Sequence, residues 1–258
     1  MIFSDFHVHS SFSDGKNTPE EMVQQALSLG MREMGFSDHG YAFYDTDCCI
    51  PEDKVSAYRT EIRRLQKAYS DKIRIRLGVE RDAFAAEDGL SWDYVIGSVH
   101  YVKAGELYFP VDYRMEDLQA ACRHFGGDYL SLAESYFETV GRIADLTCCD
   151  IIGHFDLISK LNEKQGFLDE QSPRYIAAWK KAADALLAKD LPFEINTGAI
   201  SRGYKTGAYP SLAQIEYIAG QGGRFILSSD AHRKEDLCCD FERQLALAEK
   251  MGLRLAEF

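Results

Sequence analysis

Short apolar runs alternate with longer amphipathic stretches along most of the chain. The runs are IFSDFHV (from Ile2), MGFSDH (from Met34), IRIRLGVE (from Ile73), YVIGSVH (from Tyr94), DIIGHFD (from Asp150), PFEINTG (from Pro192) and RFILSSDAH (from Arg224). Each is short enough for a strand, and helical spacing of apolar residues follows all but IRIRLGVE, which leads directly to the next run. The first helix is the most explicit. Thr18 stands as its N-cap, Pro19 takes the first helical position, Glu21 can complete a capping box, and Gly30 marks the stop. Further helices are predicted within 51–70, 172–190, 211–220 and 238–252, and from about Met115 to about Thr147 with a break at Gly126-Gly127. This alternation predicts an α/β fold with a parallel sheet. No linker, repeat or low-complexity segment divides the chain, so a single domain is expected over residues 1–258.

A barrel is favoured over an open sheet because all seven runs end in, or beside, a residue that can bind metal or contact a ligand. The active sites of (β/α) barrels collect where the loops at the strands' C-terminal ends converge. An open doubly wound sheet concentrates its site at one switch point. Neither a G-x-G-x-x-G nor a P-loop pattern is present. The expected fold is a distorted, seven-stranded (β/α) barrel.

His7 and His9 are an i, i+2 pair, so on a strand both imidazoles face one side. Asp5 shares that parity, and Phe6 and Val8 are expected to face the packing helices. Six of the seven histidines lie at strand ends: His7, His9, His39, His100, His154 and His232. Asp14, Glu80 and Asp230 lie at matching positions, and Asp230 with His232 repeats the i, i+2 spacing. The remaining histidine, His124, falls in a helical stretch and is expected on the surface. Burying so many imidazoles and carboxylates together without a cation would leave costly unpaired polar groups. Mixed nitrogen and carboxylate donors suit zinc, iron or manganese rather than calcium. Nine donors exceed the four that one tetrahedral ion takes. Two or three divalent ions are therefore expected, with Glu80 as the candidate bridge. Such clusters suit phosphoester hydrolysis.

Charge changes the picture of the substrate. The 258 residues carry a net charge of −12 and contain no basic run, which argues against a nucleic-acid partner. Three divalent ions would outweigh three carboxylates, so a metal-loaded pocket could still attract a phosphate ester. No run of eighteen apolar residues and no secretory signal is seen, so no membrane association and a cytoplasmic location are expected. The seven cysteines include three adjacent pairs but no C-x-x-C, and reduced, partly buried thiols are expected.

Taken together, DFHVHSSFSDG, GFSDHG, LGVE, IGSVHYV, DIIGHFDLISK, FEINTG and SSDAH resemble the successive motifs of the PHP superfamily. Their detail is closest to its histidinol-phosphate phosphatase branch, and the resemblance runs from about residue 2 to residue 232. It implies a distorted (β/α)7 barrel with a trinuclear metal site. His7, His9, Glu80 and Asp230 would surround one ion, and Glu80, His100 and His154 a second. Asp14, His39 and His232 would hold the third. Some members carry histidine where this chain has Asp14, a harder ligand that favours iron or manganese over zinc. The loop TGAISRGYKTGAYPS offers Arg202 and Lys205 to a phosphate, and the resemblance supports Arg202 as the clamp. Lys160 is a further candidate. Glu80, Asp230, His232 and Arg202 are the expected catalytic residues, with a bound water, His232 or Asp230 as proton donor to the leaving group.

Asp5, Asp38 and Asp156 would either orient metal-bound imidazoles or cap loops. Tyr41, Phe43 and Tyr44 would line the pocket, form a lid or meet another subunit; the oligomeric state is left open. The implied reaction is hydrolysis of L-histidinol phosphate to L-histidinol and phosphate. Three alternatives compete with it: another small phosphate ester such as a nucleotide, amidohydrolase-type chemistry, and a non-catalytic accessory module.

Overall fold

The computed structural model describes residues 4–256. Its strands are β1 (Ser4–Asp5), β2 (Glu33–Phe36), β3 (Arg74–Asp82), β4 (Tyr94–Ser98), β5 (Tyr101–Ala104), β6 (Leu107–Pro110), β7 (Ile151–Ile152), β8 (Phe193–Asn196), β9 (Arg224–Ser228) and β10 (Arg254–Leu255). Eight of them form one sheet in the order β1-β2-β3-β4-β7-β8-β9-β10, every neighbouring pair parallel. The chain just beyond β1 meets the chain just beyond β9 through a parallel bridge between Val8 and Ala231. There His9 N–H donates to the Ala231 carbonyl at 2.9 Å, and Ala231 N–H to the His7 carbonyl at 3.1 Å. Closure is confined to this C-terminal rim. At the opposite end, β10 pairs with the start of β9. The result is the expected distorted barrel: seven strands read from the sequence, plus a short eighth.

The helices are α1 (Pro19–Ser28), α2 (Val55–Ala68), α3 (Met115–His124), α4 (Tyr129–Val140), α5 (Ile143–Thr147), α6 (Asn162–Gln165), α7 (Pro173–Leu187), α8 (Gly198–Ser201), α9 (Leu212–Gly220) and α10 (Phe241–Met251). α1 carries the expected capping box between Thr18 and Glu21. The stretch from Met115 breaks where Gly126 and Gly127 adopt φ of +71° and +75°, values that disfavour a side chain. The short helices α6 and α8 were unforeseen, and so were three of the strands. The β5–β6 hairpin turns at Gly105-Glu106 and carries aromatic residues over the rim, and β10 has only two residues.

Apolar residues facing away from the barrel axis pack against the helices. Met34 and Phe36 of β2 join Val8 and the α1 residues Met22, Val23 and Ala26, while Phe193 and Ile195 of β8 join residues of α4, α7 and α9. The interior is plugged by Phe6, Tyr94, Ile96, Ile151 and Ile226. The Tyr94 hydroxyl reaches the carbonyl oxygens of Phe6 at 2.6 Å and Phe36 at 3.0 Å. Its ring needs glycine on the facing strands: a Cβ at Gly78 would lie 2.4 Å from it. Phe6 corrects one expectation, since it joins this plug instead of facing the helices. Regular pairing of β1 ends at Asp5, whose carboxylate accepts from His7 N–H at 3.3 Å and interrupts the alternation. Val8 does pack toward α1. Ile2 and Phe3, part of the first predicted strand, lie outside the described residues.

Candidate metal centre

Polar side chains sit above the apolar plug, because each strand hands its chain to a loop at this rim. His7 and His9 follow β1, His39 follows β2, and Glu80 lies inside β3. His100 follows β4, His154 follows β7, and Asp230 and His232 follow β9. Glu80 is the hub. Its Oε1 lies 2.9 Å from His154 Nε2 and 3.3 Å from His100 Nε2. Its Oε2 lies 2.9 Å from His39 Nδ1, 3.2 Å from His7 Nε2 and 3.6 Å from His9 Nε2. Asp230 Oδ1 is 3.3 Å from His9 Nε2 and 3.7 Å from His7 Nε2. Asp14 Oδ2 is 3.1 Å from His232 Nε2, and its Oδ1 is 3.8 Å from both His39 Nε2 and His9 Nδ1. All nine sequence-predicted donors are thus in one place. The expected partition between ions is blurred at His9, whose ring stacks on His232 at 4.1 Å and lies 4.4 Å from His39.

Whether these residues fit metal ions can be tested from the hydrogen bonds. Among the described residues, His7 Nε2, both ring nitrogens of His9 and Glu80 Oε2 are buried without a hydrogen-bond partner. They converge at ion-pair distance instead, which is costly unless a cation fills the space between them. Four overlapping groups each bring three or four donor atoms within 4.8 Å of one another: His7/His9/Asp230, His7/Glu80/His154, His39/Glu80/His100 and His9/Asp14/His39/His232. Ligation requires neutral imidazole and ionised carboxylate. Burial alone would lower His7, His39 and His100, but Glu80 and the other carboxylates around them hold all three above the usual imidazole range, so without ions these rings carry the balancing charge. His9 and Glu80 already stand in the ligating form. Burial, and then the neighbouring His232 and His39, push His9 down to about 3. Burial alone would raise the Glu80 carboxyl, but His7, His100 and His39 hold it well below the usual range. The residues fit divalent transition-metal ions.

A cavity of about 640 Å³ opens over the cluster, lined among others by Arg202, Lys160, Asp112, Tyr44, Tyr101 and Tyr108. Arg202 Nη2 donates to Asp230 Oδ2 at 2.9 Å, and Nη1 donates to the Asp230 carbonyl at 2.8 Å. Lys160 pairs with Asp112 at 2.9 Å inside the cavity. Lys205 is placed elsewhere: its ammonium donates to Ser159 Oγ at 2.7 Å, 3.8 Å from Asp156, and lines a separate groove.

Asp5, Asp38 and Asp156 reach no imidazole; they accept from backbone N–H groups and hydroxyls of the loops. The carboxylate that does orient ligands is Glu194. His7 Nδ1 lies 2.7 Å from its Oε1, while His154 N–H and Asn196 Nδ2 donate to its Oε2 at 2.9 and 3.0 Å. Asp82 holds His100 in a similar way. A signal for both existed, since Glu194 and Asp82 occupy inward-facing strand positions where an apolar residue would be ordinary. His124 is exposed on α3 and touches Phe109 at 4.8 Å. All seven cysteines are free.

The sequence pattern of the PHP domain matches residues 5–198, and the chain belongs to this family. Arg202, Asp230 and His232 lie beyond the matched span. A protein of Deinococcus radiodurans named probable histidinol-phosphatase is 29% identical, over 98% of this chain and 95% of its own. Two solved structures share the fold. One is a Listeria monocytogenes protein assigned as a histidinol phosphatase, with a TM-score of 0.82 at 18% identity, covering 93% of this chain and 99% of the other. The second is the Lactococcus lactis histidinol phosphate phosphatase complexed with zinc, L-histidinol and phosphate. Its TM-score is 0.71 at 22% identity, over 98% of this chain and 94% of that one. No helix among the described residues is long and apolar enough to cross a membrane.

Proposed function

We propose that this chain is a metal-dependent phosphomonoesterase that hydrolyses L-histidinol phosphate to L-histidinol and phosphate. The observation that carries the reading is the convergence of five imidazoles on Glu80, beside Arg202 and Lys160, at the floor of one cavity. Family membership and the end-to-end similarity to proteins bearing that name point the same way. His7, His9, Glu80 and Asp230 would hold one ion, and Glu80, His100 and His154 a second. Asp14, His39 and His232 would hold a third. The two oxygens of Glu80 face different imidazole groups, as a bridging role requires. Bound divalent ions there supply Lewis acidity toward phosphoryl oxygens and lower the pKa of water.

The chain's own residues do the rest. Glu194 keeps the proton of His7 on Nδ1 and so leaves the Nε2 lone pair facing the cluster. Arg202 fixes Asp230 and presents its guanidinium at the cavity wall, where it would clamp phosphate with Lys160. Asp45, Asp47, Asp112 and Asp117 line the same cavity, with the rings of Tyr44, Tyr101 and Tyr108. Acidic and aromatic walls favour a phosphate ester whose body is cationic and flat, which describes histidinol phosphate better than a nucleotide.

The decisive experiment measures phosphate release from histidinol phosphate, nucleoside monophosphates and a simple aryl phosphate, with zinc, manganese or iron loaded in turn. The expected result is a kcat/KM for histidinol phosphate well above the others. Equal rates on all three would overturn the substrate assignment but leave the phosphatase; no hydrolysis under any metal would overturn both.

A further inference from the structure

Tyr44 belongs to the loop after β2, which lies beside the cavity, yet its hydroxyl points to the strand end that carries the cluster. It donates to Asp82 Oδ1 at 2.5 Å, an oxygen that also accepts from Phe84 N–H at 3.1 Å. The other oxygen, Oδ2, accepts from His100 N–H at 2.8 Å and lies 3.4 Å from His100 Nδ1. On the far side of that ring, His100 Nε2 faces Glu80 Oε1. The chain of contacts therefore runs from the loop, through one carboxylate, to an imidazole of the cluster. A carboxylate at Nδ1 selects the tautomer with hydrogen on that nitrogen and leaves the Nε2 lone pair free for an ion. Burial and the charge of Asp82 hold the Tyr44 phenol above its ordinary range, so it keeps its proton and acts as the donor.

The ring of Tyr44 is fixed as firmly as its hydroxyl. It stacks on Tyr108 of the β5–β6 hairpin, with centroids 4.3 Å apart and planes within 6°, and meets Tyr101 edge-on at 5.0 Å. Loop, hairpin and the end of β3 are joined at this one side chain.

We propose that Tyr44 is a positioning residue that fixes His100 through Asp82, so that the loop over the cavity and ion retention at the Glu80/His100/His154 corner depend on each other. The inference rests on the metal-dependent reading above. It extends that reading from the ligands to a residue that touches none of them.

The test uses the zinc-loaded full chain and needs no substrate. Tyr44→Phe preserves the stacking and deletes only the hydroxyl; Asp82→Asn keeps the shape and deletes the charge. Removing groups that orient metal ligands typically weakens metal retention by roughly 10- to 100-fold. Asp82→Asn is expected in that range and Tyr44→Phe at its lower end, about tenfold, read as faster loss of the most labile ion to a chelator. Activity of Tyr44→Phe on any phosphate ester the wild type cleaves should fall at limiting zinc and recover at saturating zinc. Wild-type ion release in Tyr44→Phe, or a loss of activity that zinc does not restore, would overturn the tether. A wild-type chain that binds none of zinc, manganese or iron would overturn the metal reading and the tether with it. Failure to cleave histidinol phosphate in particular would leave the release measurement decisive.

Discussion

Two sets of buried carboxylates stand a few residues apart in this molecule, and their partners differ in kind. Asp5 accepts from the N–H groups of His7, Ser229 and Cys238 and from the Ser229 hydroxyl. Asp38 accepts from N–H and hydroxyl of both Ser10 and Ser13. Every one of these partners brings a hydrogen, so the burial is settled within the chain. Glu80 and the Oδ1 of Asp230 instead face ring nitrogens, several of them without any hydrogen-bond partner, while Asp230 Oδ2 takes the Arg202 guanidinium. A carboxylate ringed by donors caps a loop. One ringed by lone pairs waits for a cation.

The largest effect should come from breaking the second set at its centre. Glu80→Ala removes the group that both oxygens' imidazoles share, and a loss of activity on the order of 10³-fold or more is expected, as for deletion of a principal electrostatic element. Metal analysis of the purified variant should show fewer ions than the wild type. Stripping the wild type with a chelator should also abolish turnover, and it should lower the melting temperature. Ions at a hundred times their dissociation constant stabilise a folded protein by about 2.7 kcal/mol. Full activity in either case would remove the distinction between the two sets.

Glu194 sharpens the comparison because it belongs to both sets: one oxygen faces an imidazole and the other is filled by donors. Glu194→Gln keeps the volume but can set an amide N–H against His7 Nδ1, favouring the wrong tautomer. A 10- to 100-fold loss of activity or metal affinity is expected, the usual range for groups behind metal ligands. A loss as complete as that of Glu80→Ala would mean Glu194 acts on the ions directly.

The two lysines offer the same contrast in cations. Lys160 lines the cavity and is held by Asp112, whereas Lys205 is turned onto Ser159. Replacing Lys160 with methionine should raise KM for a phosphate ester and reduce kcat/KM by about tenfold, the worth of one charge-assisted hydrogen bond. The same change at Lys205 should alter kcat/KM by no more than about twofold, since it touches no cavity residue that the reaction needs.

Much of this arrangement was legible in the chain, because histidine and carboxylate at strand ends are conspicuous against apolar runs. The nine donors and the seven-strand alternation follow from that contrast. What escaped it depends on direction instead of composition. Lys205 and Lys160 look alike as sequence, and only the packing of the loop after β8 turns one away. Asp5 shares parity with His7 and His9, yet the chain leaves regular pairing at Asp5 and sends Phe6 inward. Asp82 lies two residues from Glu80 on its strand, so parity could have marked it, and Glu194 stands out as a charge between Phe193 and Ile195. The hairpin at 101–110 offers only Gly105-Glu106 as its turn signal, and nothing in its pattern announces that Tyr108 will meet Tyr44.

The smallest effect belongs to the loop-capping set, and Asp5→Asn isolates it. Burial outweighs the donors around Asp5 and pushes its carboxyl up to about 6, so part of its charge is already expensive to keep. Asparagine relieves that cost. Its carbonyl can take the place of Oδ1, which accepts from Ser229 and His7 N–H, and its amide can donate to a rotated Ser229 hydroxyl. One conflict remains, where the Cys238 N–H would face the new amide in place of Oδ2. The two effects oppose, and a net loss of about 1 kcal/mol or less is expected by chemical denaturation, near the low end for an unsatisfied buried donor. Metal content should equal that of the wild type. A variant that folds but has lost an ion would show that Asp5 serves the cluster through the backbone of His7 and Ser229, and the line between the two sets would have to be redrawn around it.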